Sequence, residues 1–188
     1  MPTAISVIAP AARPAAAAAA AIRARTPASA EEDAQALGAI HKALVEAKNT
    51  YWAKEVEVQQ LAIAGWLAHA RGKSEEGLKL MRAAADLEDT NEKHIVTPGR
   101  IVPARELLAE MLLEQKQPEA ALKELEASRI REPNRYRNYS ASMQAAQMMG
   151  NQALAAEYAK TLLALAKDTD SRRPDLAQAY KVVALAKK

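Results

Sequence analysis

The sequence predicts an all-α protein, and the make-up of its apolar residues is the main reason. Hydrophobic residues form 49% of the 188 positions, but only 4% are aromatic and there is no Phe. The apolar residues are therefore mostly Ala and Leu, which favour helices, and no long run of β-branched residues favours a strand. Six glycines are also too few for a sheet built on many tight turns.

Cysteine content, charge and hydropathy narrow the class of protein further. The chain has no Cys, which excludes disulfides and thiolate metal sites. Its formal net charge of +3 permits an anionic partner without requiring one. No apolar stretch approaches the ~20 residues of a membrane-spanning helix, so we expect a soluble protein. Since there is no clear secretory signal, we favour a cytoplasmic location.

The first 30 residues form an Ala-, Pro- and Arg-rich segment with no acidic residue before Glu31. A secretory signal would place positive charge ahead of an unbroken apolar core, whereas the first basic residue here is Arg13, after Pro10. A mitochondrial transit peptide fits the composition, but four prolines weaken the amphipathic helix that it requires. We favour a third interpretation, a flexible leader or the remnant of an upstream repeat.

Helical periodicity begins after this leader. Acidic residues precede apolar positions at helical spacing and predict a first helix from about Glu32 to Lys48. Asn49–Thr50 interrupts this helix, and a second helix follows that is expected to end at Arg71–Gly72, where Gly supplies a helix stop. A third is expected from Ser74, as N-cap, to about Leu87, with two acids in its first turn.

Turn residues repeat along the rest of the chain. Lys116–Gln117 and Gly150–Asn151 lie 34 residues apart, and Gly72–Lys73 falls in the same frame once the ten-residue insertion Glu92–Ile101 is allowed for. This frame divides the chain into windows in which the twentieth residue is always small, as is the eighth residue of the first two. Small residues allow two helices to cross closely. The windows are Val58–Asn91, Val102–Arg135 and Tyr136–Thr169, and the twentieth residues are Gly77, Ala121 and Ala155.

A 34-residue frame with small crossing residues resembles the tetratricopeptide-repeat (TPR) family over about Val58–Thr169. The best-matched unit contains Pro103–Glu114 and Pro118–Ser128, and the chain looks like the C-terminal repeats of a bacterial TPR protein. Four residues depart from the usual TPR pattern. Arg105 stands at a position that is usually aromatic, Ser142 at one that is usually Leu, and Met143 and Leu162 at two that are usually small. The resemblance implies a right-handed superhelical stack of antiparallel helical hairpins, an α-solenoid, over residues 31–188. A helix at about 173–187 would cap the stack.

The resemblance also implies a concave groove that binds a partner protein or peptide. Its lining would include three glutamates at four-residue spacing, which stack on one helix face and suit a basic peptide. An ordinary solvated face is the alternative interpretation. The basic residues with which chaperone-binding TPRs clamp a carboxylate are absent. The candidate groove residues are Trp66, His69, Glu106, Glu110, Glu114, Gln144 and Gln147. We expect reversal of Glu106 and Glu110 to Lys to abolish binding without changing the melting temperature.

Catalytic and nucleic-acid-binding functions have weaker support. His41, His69 and His94 lie in different segments without further ligands at metal spacing, and no nucleophile or phosphate-loop motif occurs. We therefore expect no enzyme activity, metal or cofactor. A cluster of basic and aromatic residues could hold phosphates and stack bases, but Glu132 interrupts it, which disfavours a phosphate- or nucleic-acid-binding surface. The other interpretation that stays open is a structural segment that only packs against further repeats. The cluster comprises Arg129, Arg131, Arg135, Tyr136, Arg137 and Tyr139.

Overall fold

The computed structural model describes residues 27–91, 100–169 and 173–186, and within them the backbone forms eight helices and no strand. This confirms the all-α prediction. Most of the predicted leader, residues 92–99 of the predicted insertion, residues 170–172 and the last two residues lie outside the described residues. No described helix is long and apolar enough to cross a membrane. The helices are α1 (Pro27–Glu46), α2 (Thr50–Ala70), α3 (Ser74–Asp89), α4 (Ala104–Glu114), α5 (Pro118–Arg131), α6 (Tyr136–Met148), α7 (Gln152–Leu165) and α8 (Pro174–Leu185).

The chain divides into two compact units, and the boundary between them falls within α4, after Leu107. In the first unit α1 packs on α2 and α2 packs on α3. In the second, α5 packs on α6, α6 on α7 and α7 on α8. Each unit has its own buried apolar side chains. They include Leu37, Val56, Trp66 and Met81 in the first unit and Met111, Leu125, Leu162 and Val182 in the second.

Four helix-to-helix turns share one hydrogen-bonding pattern. Each has a left-handed residue, at Lys48, Gly72, Lys116 or Gly150. In each turn this residue donates its N–H to the carbonyl three residues earlier, and the next residue donates to the carbonyl five earlier. This is the Schellman motif, which satisfies the free carbonyls at a helix end. The three turns predicted from the 34-residue frame are therefore confirmed. Lys48 adds a fourth, at the break that the sequence predicts beside Asn49–Thr50, although its left-handed residue was not predicted.

Helix ends in the second unit follow the 34-residue frame. Helix α4 ends at Glu114 and α6 at Met148, while α5 begins at Pro118 and α7 at Gln152. The matching ends of the α2–α3 hairpin, Ala70 and Ser74, hold the same two positions of their window. The frame read from the sequence thus predicts where each hairpin turns.

Several helix starts differ from the prediction. Helix α1 spans Pro27–Glu46 rather than Glu32–Lys48, and α2 begins at Thr50, eight residues before its window. Asn49 caps α2, since its Oδ1 accepts a hydrogen bond from the Trp52 N–H at 3.4 Å. The prediction that Ser74 is an N-cap is wrong, because the N-cap of α3 is Lys73, which makes no side-chain capping bond.

Helices α2 and α3 cross at two glycines. A Cβ atom added to Gly77 would lie 2.8 Å from the Gly65 carbonyl oxygen, and one added to Gly65 would lie 3.0 Å from the Gly77 oxygen. Both distances are shorter than carbon–oxygen van der Waals contact, so only glycine allows the two backbones to approach this closely. This confirms the predicted crossing of the eighth and twentieth window positions in the first unit.

Candidate functional site

The groove residues predicted in the first unit are mostly covered by protein. The side chain of Trp66 is only 1% exposed, and its ring meets the half-buried His69 ring edge-on, with 5.8 Å between centroids. Glu106, in the first turn of α4, is also 1% exposed. A partner cannot touch Trp66 or Glu106 in this structure. The burial of Glu106 also contradicts our expectation that its reversal to Lys would leave melting unchanged, because a buried lysine is costly.

In the second unit, Glu110 is joined to Arg137 across α4 and α6. Arg137 donates from Nε to Glu110 Oε1 at 2.5 Å and from Nη2 to Oε2 at 2.6 Å. The side chain of Glu110 is 17% exposed and that of Arg137 is 35% exposed. Two parallel hydrogen bonds between a guanidinium and a carboxylate fix both distance and orientation. The pair therefore neutralises the central charge of the predicted acidic row. It also joins α4 to α6, which are the first helices of two consecutive hairpins.

The remaining predicted residues of this unit are more accessible. Glu114, at the end of α4, and Gln144, in α6, are exposed, while Gln147 is half-buried. These three side chains and the half-exposed Arg137 give the face formed by α4 and α6 a polar character. We call this surface, made by Glu110, Glu114, Arg137, Gln144 and Gln147, the α4–α6 face. It carries one exposed carboxylate, at Glu114, and not the three that the sequence indicated.

Helix α8 is tied to α6 by a second polar junction. Ser140 Oγ donates to Asp175 Oδ2 at 3.0 Å, and Arg173 donates to both oxygens of Asp175 at 3.2 Å. The Arg173 guanidinium also lies 4.7 Å from the centroid of the Tyr136 ring. Burial, reinforced by the Asp175 carboxylate, raises the pKa of Tyr136 to about 12. Partial burial of Asp175 opposes its ionisation, yet its hydrogen bonds hold its pKa below the usual value. The junction therefore fixes the predicted cap helix, observed at Pro174–Leu185.

A cluster in the second unit is built around Arg129, in the last turn of α5. Its Nη1 donates to Asn138 Oδ1 at 2.8 Å and to Ser142 Oγ at 2.7 Å, and its Nη2 donates to the Tyr158 hydroxyl at 3.3 Å. The guanidinium carbon also lies 5.5 and 5.1 Å from the ring centroids of Tyr139 and Tyr158. The nucleic-acid alternative grouped Arg129 with the exposed Arg131 and with Arg135. The structure instead directs Arg129 into the packing of α5, α6 and α7.

Sequence reasoning missed a buried ionic cluster in the first unit. Arg100 donates to Glu55 Oε1 at 3.1 Å and lies 3.2 Å from Glu88 Oε1. Glu88 Oε2 in turn accepts from the backbone N–H of Ala104 at 2.8 Å. Burial raises the pKa of Glu88 to about 7, although the Arg100 charge opposes the rise. Because Arg100 also donates to the Asn91 carbonyl at 3.0 Å, the cluster joins the two residues that flank segment 92–99.

The three histidines are the candidate metal ligands of the sequence. His41 and His69 are half-buried on different helices, and His94 lies outside the described residues. In the part of the chain that the structure describes, no three His, Cys, Asp or Glu side chains are grouped so that they could hold a metal ion.

Comparisons of the chain with protein-family models, with curated proteins and with solved structures found no match.

Proposed function

We propose that this protein is a TPR-like interaction scaffold that binds a partner protein or peptide, and that the α4–α6 face contributes to the binding surface. The architectural support is the common frame of the hairpins. All three hairpins turn at the same window position, with a left-handed residue at Gly72, Lys116 or Gly150. TPR units repeat with this 34-residue period. The right-handed superhelical winding of such repeats stays a prediction.

The observation that carries the binding proposal is the Glu110–Arg137 pair. In the TPR resemblance, first-helix positions such as that of Glu110 line the concave surface. The pair joins two consecutive first helices, α4 and α6, at this level. Glu114 follows Glu110 by one helical turn and Gln144 follows Arg137 by two, so each shares a helix face with a member of the pair. Both are exposed, and Gln147 is half-buried. A rigid polar surface with few charges offers hydrogen bonds to a peptide backbone at a low cost in side-chain ordering.

The chemistry of the surface also specifies the kind of partner. Arg137 neutralises Glu110, and the carboxylate of this face that is exposed to solvent is that of Glu114. We therefore expect a mainly polar peptide with one basic residue, not a strongly basic one. Exposed charge pairs contribute modestly to affinity and more to specificity.

The proposal can be tested with a degenerate peptide library screened against the full chain. A selected peptide would be measured by fluorescence anisotropy against the wild type, Glu114→Lys and Glu126→Lys. Glu126 is an exposed glutamate on α5 and gives the same change in net charge away from the α4–α6 face. We expect Glu114→Lys to weaken binding by roughly 5-fold, as for loss of a surface ion pair, and Glu126→Lys to have little effect. Equal effects of both variants would reject this face as the binding surface.

A further inference from the structure

Arg129 differs from Arg137 and Arg173 because no acidic group among the described residues pairs with it. All its contacts in the described part of the chain are to neutral groups, namely Asn138, Ser142 and Tyr158, and to the Tyr139 and Tyr158 rings. Arg137 and Arg173, by contrast, each form ion pairs with carboxylates. The half-buried guanidinium is thus surrounded by neutral groups in a partly desolvated place.

The neutral groups around Arg129 are themselves held in place. Asn138 and Ser142 are both 0% exposed. Asn138 Nδ2 donates to the Leu125 carbonyl at 2.9 Å, which turns its Oδ1 towards the guanidinium. Ser142 Oγ lies 3.4 Å from the same Oδ1, to which it donates. The guanidinium is therefore fixed before any ligand arrives, and little side-chain entropy is lost on binding.

Part of the hydrogen-bonding capacity of the Arg129 guanidinium is used by its protein neighbours. A guanidinium has five N–H groups, and three of those on Arg129 are used by the bonds from Nη1 and Nη2. The Nε–H and one Nη2–H have no acceptor among the described residues. The Tyr158 hydroxyl accepts from Nη2 and can still donate its own proton. Since this hydroxyl is 3.3 Å from Nη2, one ligand oxygen can accept from both groups.

We propose that Arg129 and the Tyr158 hydroxyl form a binding site for a single oxyanion group, a phosphate or a carboxylate. Both groups present two oxygens at the spacing of guanidinium N–H groups. The anion would neutralise the positive charge of Arg129 in a partly water-excluded site, where such hydrogen bonds are stronger than at an exposed surface. This site is separate from the α4–α6 face, so it does not depend on the proposed peptide binding.

The site can be tested by NMR on the full wild-type chain, with inorganic phosphate and acetate as the probes. Arginine Nε–H resonances would be assigned by through-bond correlations, and potassium chloride would keep the ionic strength constant. We expect the Arg129 resonance to shift saturably while that of Arg131, an exposed arginine in the same helix turn, does not. A shift with phosphate alone, acetate alone or both supports the site and identifies the preferred anion. No saturable shift with either probe, or an equal shift at Arg131, overturns the proposal.

A pair of tyrosine variants tests the second donor. Tyr158→Phe retains the ring beside Arg129 but removes the hydroxyl, whereas Tyr180→Phe removes an exposed hydroxyl from α8. We expect Tyr158→Phe to reduce the affinity for the shifting probe by ~10-fold, as for loss of one hydrogen bond to a charged group, and Tyr180→Phe to leave it unchanged. Equal affinity in wild type and Tyr158→Phe would contradict the assigned role of Tyr158.

Discussion

Glu110 accepts two parallel hydrogen bonds from Arg137 and thereby joins α4 to α6. Glu110 belongs to the row of glutamates that the sequence predicts for a binding groove, while Arg137 belongs to the basic cluster at the following junction. The structure therefore pairs two residues that the sequence assigned to different features. As a result, the α4–α6 face is less acidic than its sequence indicates and more firmly organised.

The pair should contribute measurably to stability. In a double-mutant cycle with Glu110→Ala, Arg137→Ala and the double variant, we expect a coupling free energy of ~1–2 kcal/mol, because the pair is bidentate and partly buried. Urea unfolding of the four proteins measures it. A coupling near zero would mean that the pair is no stronger than an ordinary surface ion pair.

The close crossing of α2 and α3 predicts that alanine at position 77 destabilises the protein. Gly77→Ala forces a methyl group to within 2.8 Å of the Gly65 carbonyl oxygen, so we expect a loss of ~2 kcal/mol in the free energy of unfolding. Gly38→Ala is the matched control, because its added Cβ would meet only a Gln60 side-chain nitrogen at 3.8 Å. That variant should gain ~0.5–1 kcal/mol from better helix propensity. Thermal and urea unfolding would compare the two, and a stabilised Gly77→Ala would contradict the close crossing.

The left-handed turn residue of the α4–α5 hairpin offers a stabilising substitution. Lys116 has a φ of 60°, where the other predicted turns have Gly72 and Gly150. Lys116→Gly should therefore raise the free energy of unfolding by ~1 kcal/mol, since glycine adopts this conformation without steric cost. Lys123→Gly, in the middle of α5, is the control and should lower it by ~1 kcal/mol. Chemical denaturation of both variants gives the two signs, and destabilisation by Lys116→Gly would be inconsistent with the turn.

The buried cluster at Glu88 should make stability depend on pH. The folded protein raises the pKa of Glu88 from 4.5 to about 7, so between these values it holds a proton that the unfolded chain releases. The stabilising contribution is fully present below about pH 4.5 and is lost as the pH rises through about 7. We expect the free energy of unfolding of wild type minus that of Glu88→Gln to fall by on the order of 3 kcal/mol over this range.

Urea titrations of both proteins at several pH values measure this difference. The variant changes only Glu88, so the contributions of the other groups are largely common to both proteins. A constant difference would show that Glu88 ionises equally in the folded and unfolded states, and a difference that rises with pH would show a lowered pKa in the folded protein. Either result would contradict the prediction.

The sequence predicts the hairpin turns well because local residues determine them. Gly72 and Gly150 supply left-handed positions, and Pro118 begins a helix where its missing N–H costs nothing. The Lys48 turn has the same backbone geometry, but a lysine there gives no sequence signal. The crossing of α2 and α3 was also predictable, because only small residues permit it.

Exposure within the proposed groove depends on tertiary packing and was not predictable from periodicity. A helical pattern places Glu106, Glu110 and Glu114 on one face, but their neighbours decide that the first is buried, the second paired and the third exposed. Departures from the TPR pattern have the same origin. Arg105, at a usually aromatic position, pairs with Asp89 and Asp86, and Ser142, at a usual leucine, accepts a hydrogen bond from Arg129.

The central claim, that the α4–α6 face binds a peptide, is tested most directly by amide chemical-shift mapping. A 15N-labelled full chain would be titrated with a peptide selected from the degenerate library. We predict perturbations centred on Glu114, Gln144 and Gln147, with little change at exposed residues of the second helices such as Glu126 and Glu157. Perturbations confined to α5 and α7, or none at a saturating concentration of every selected peptide, would contradict the claim.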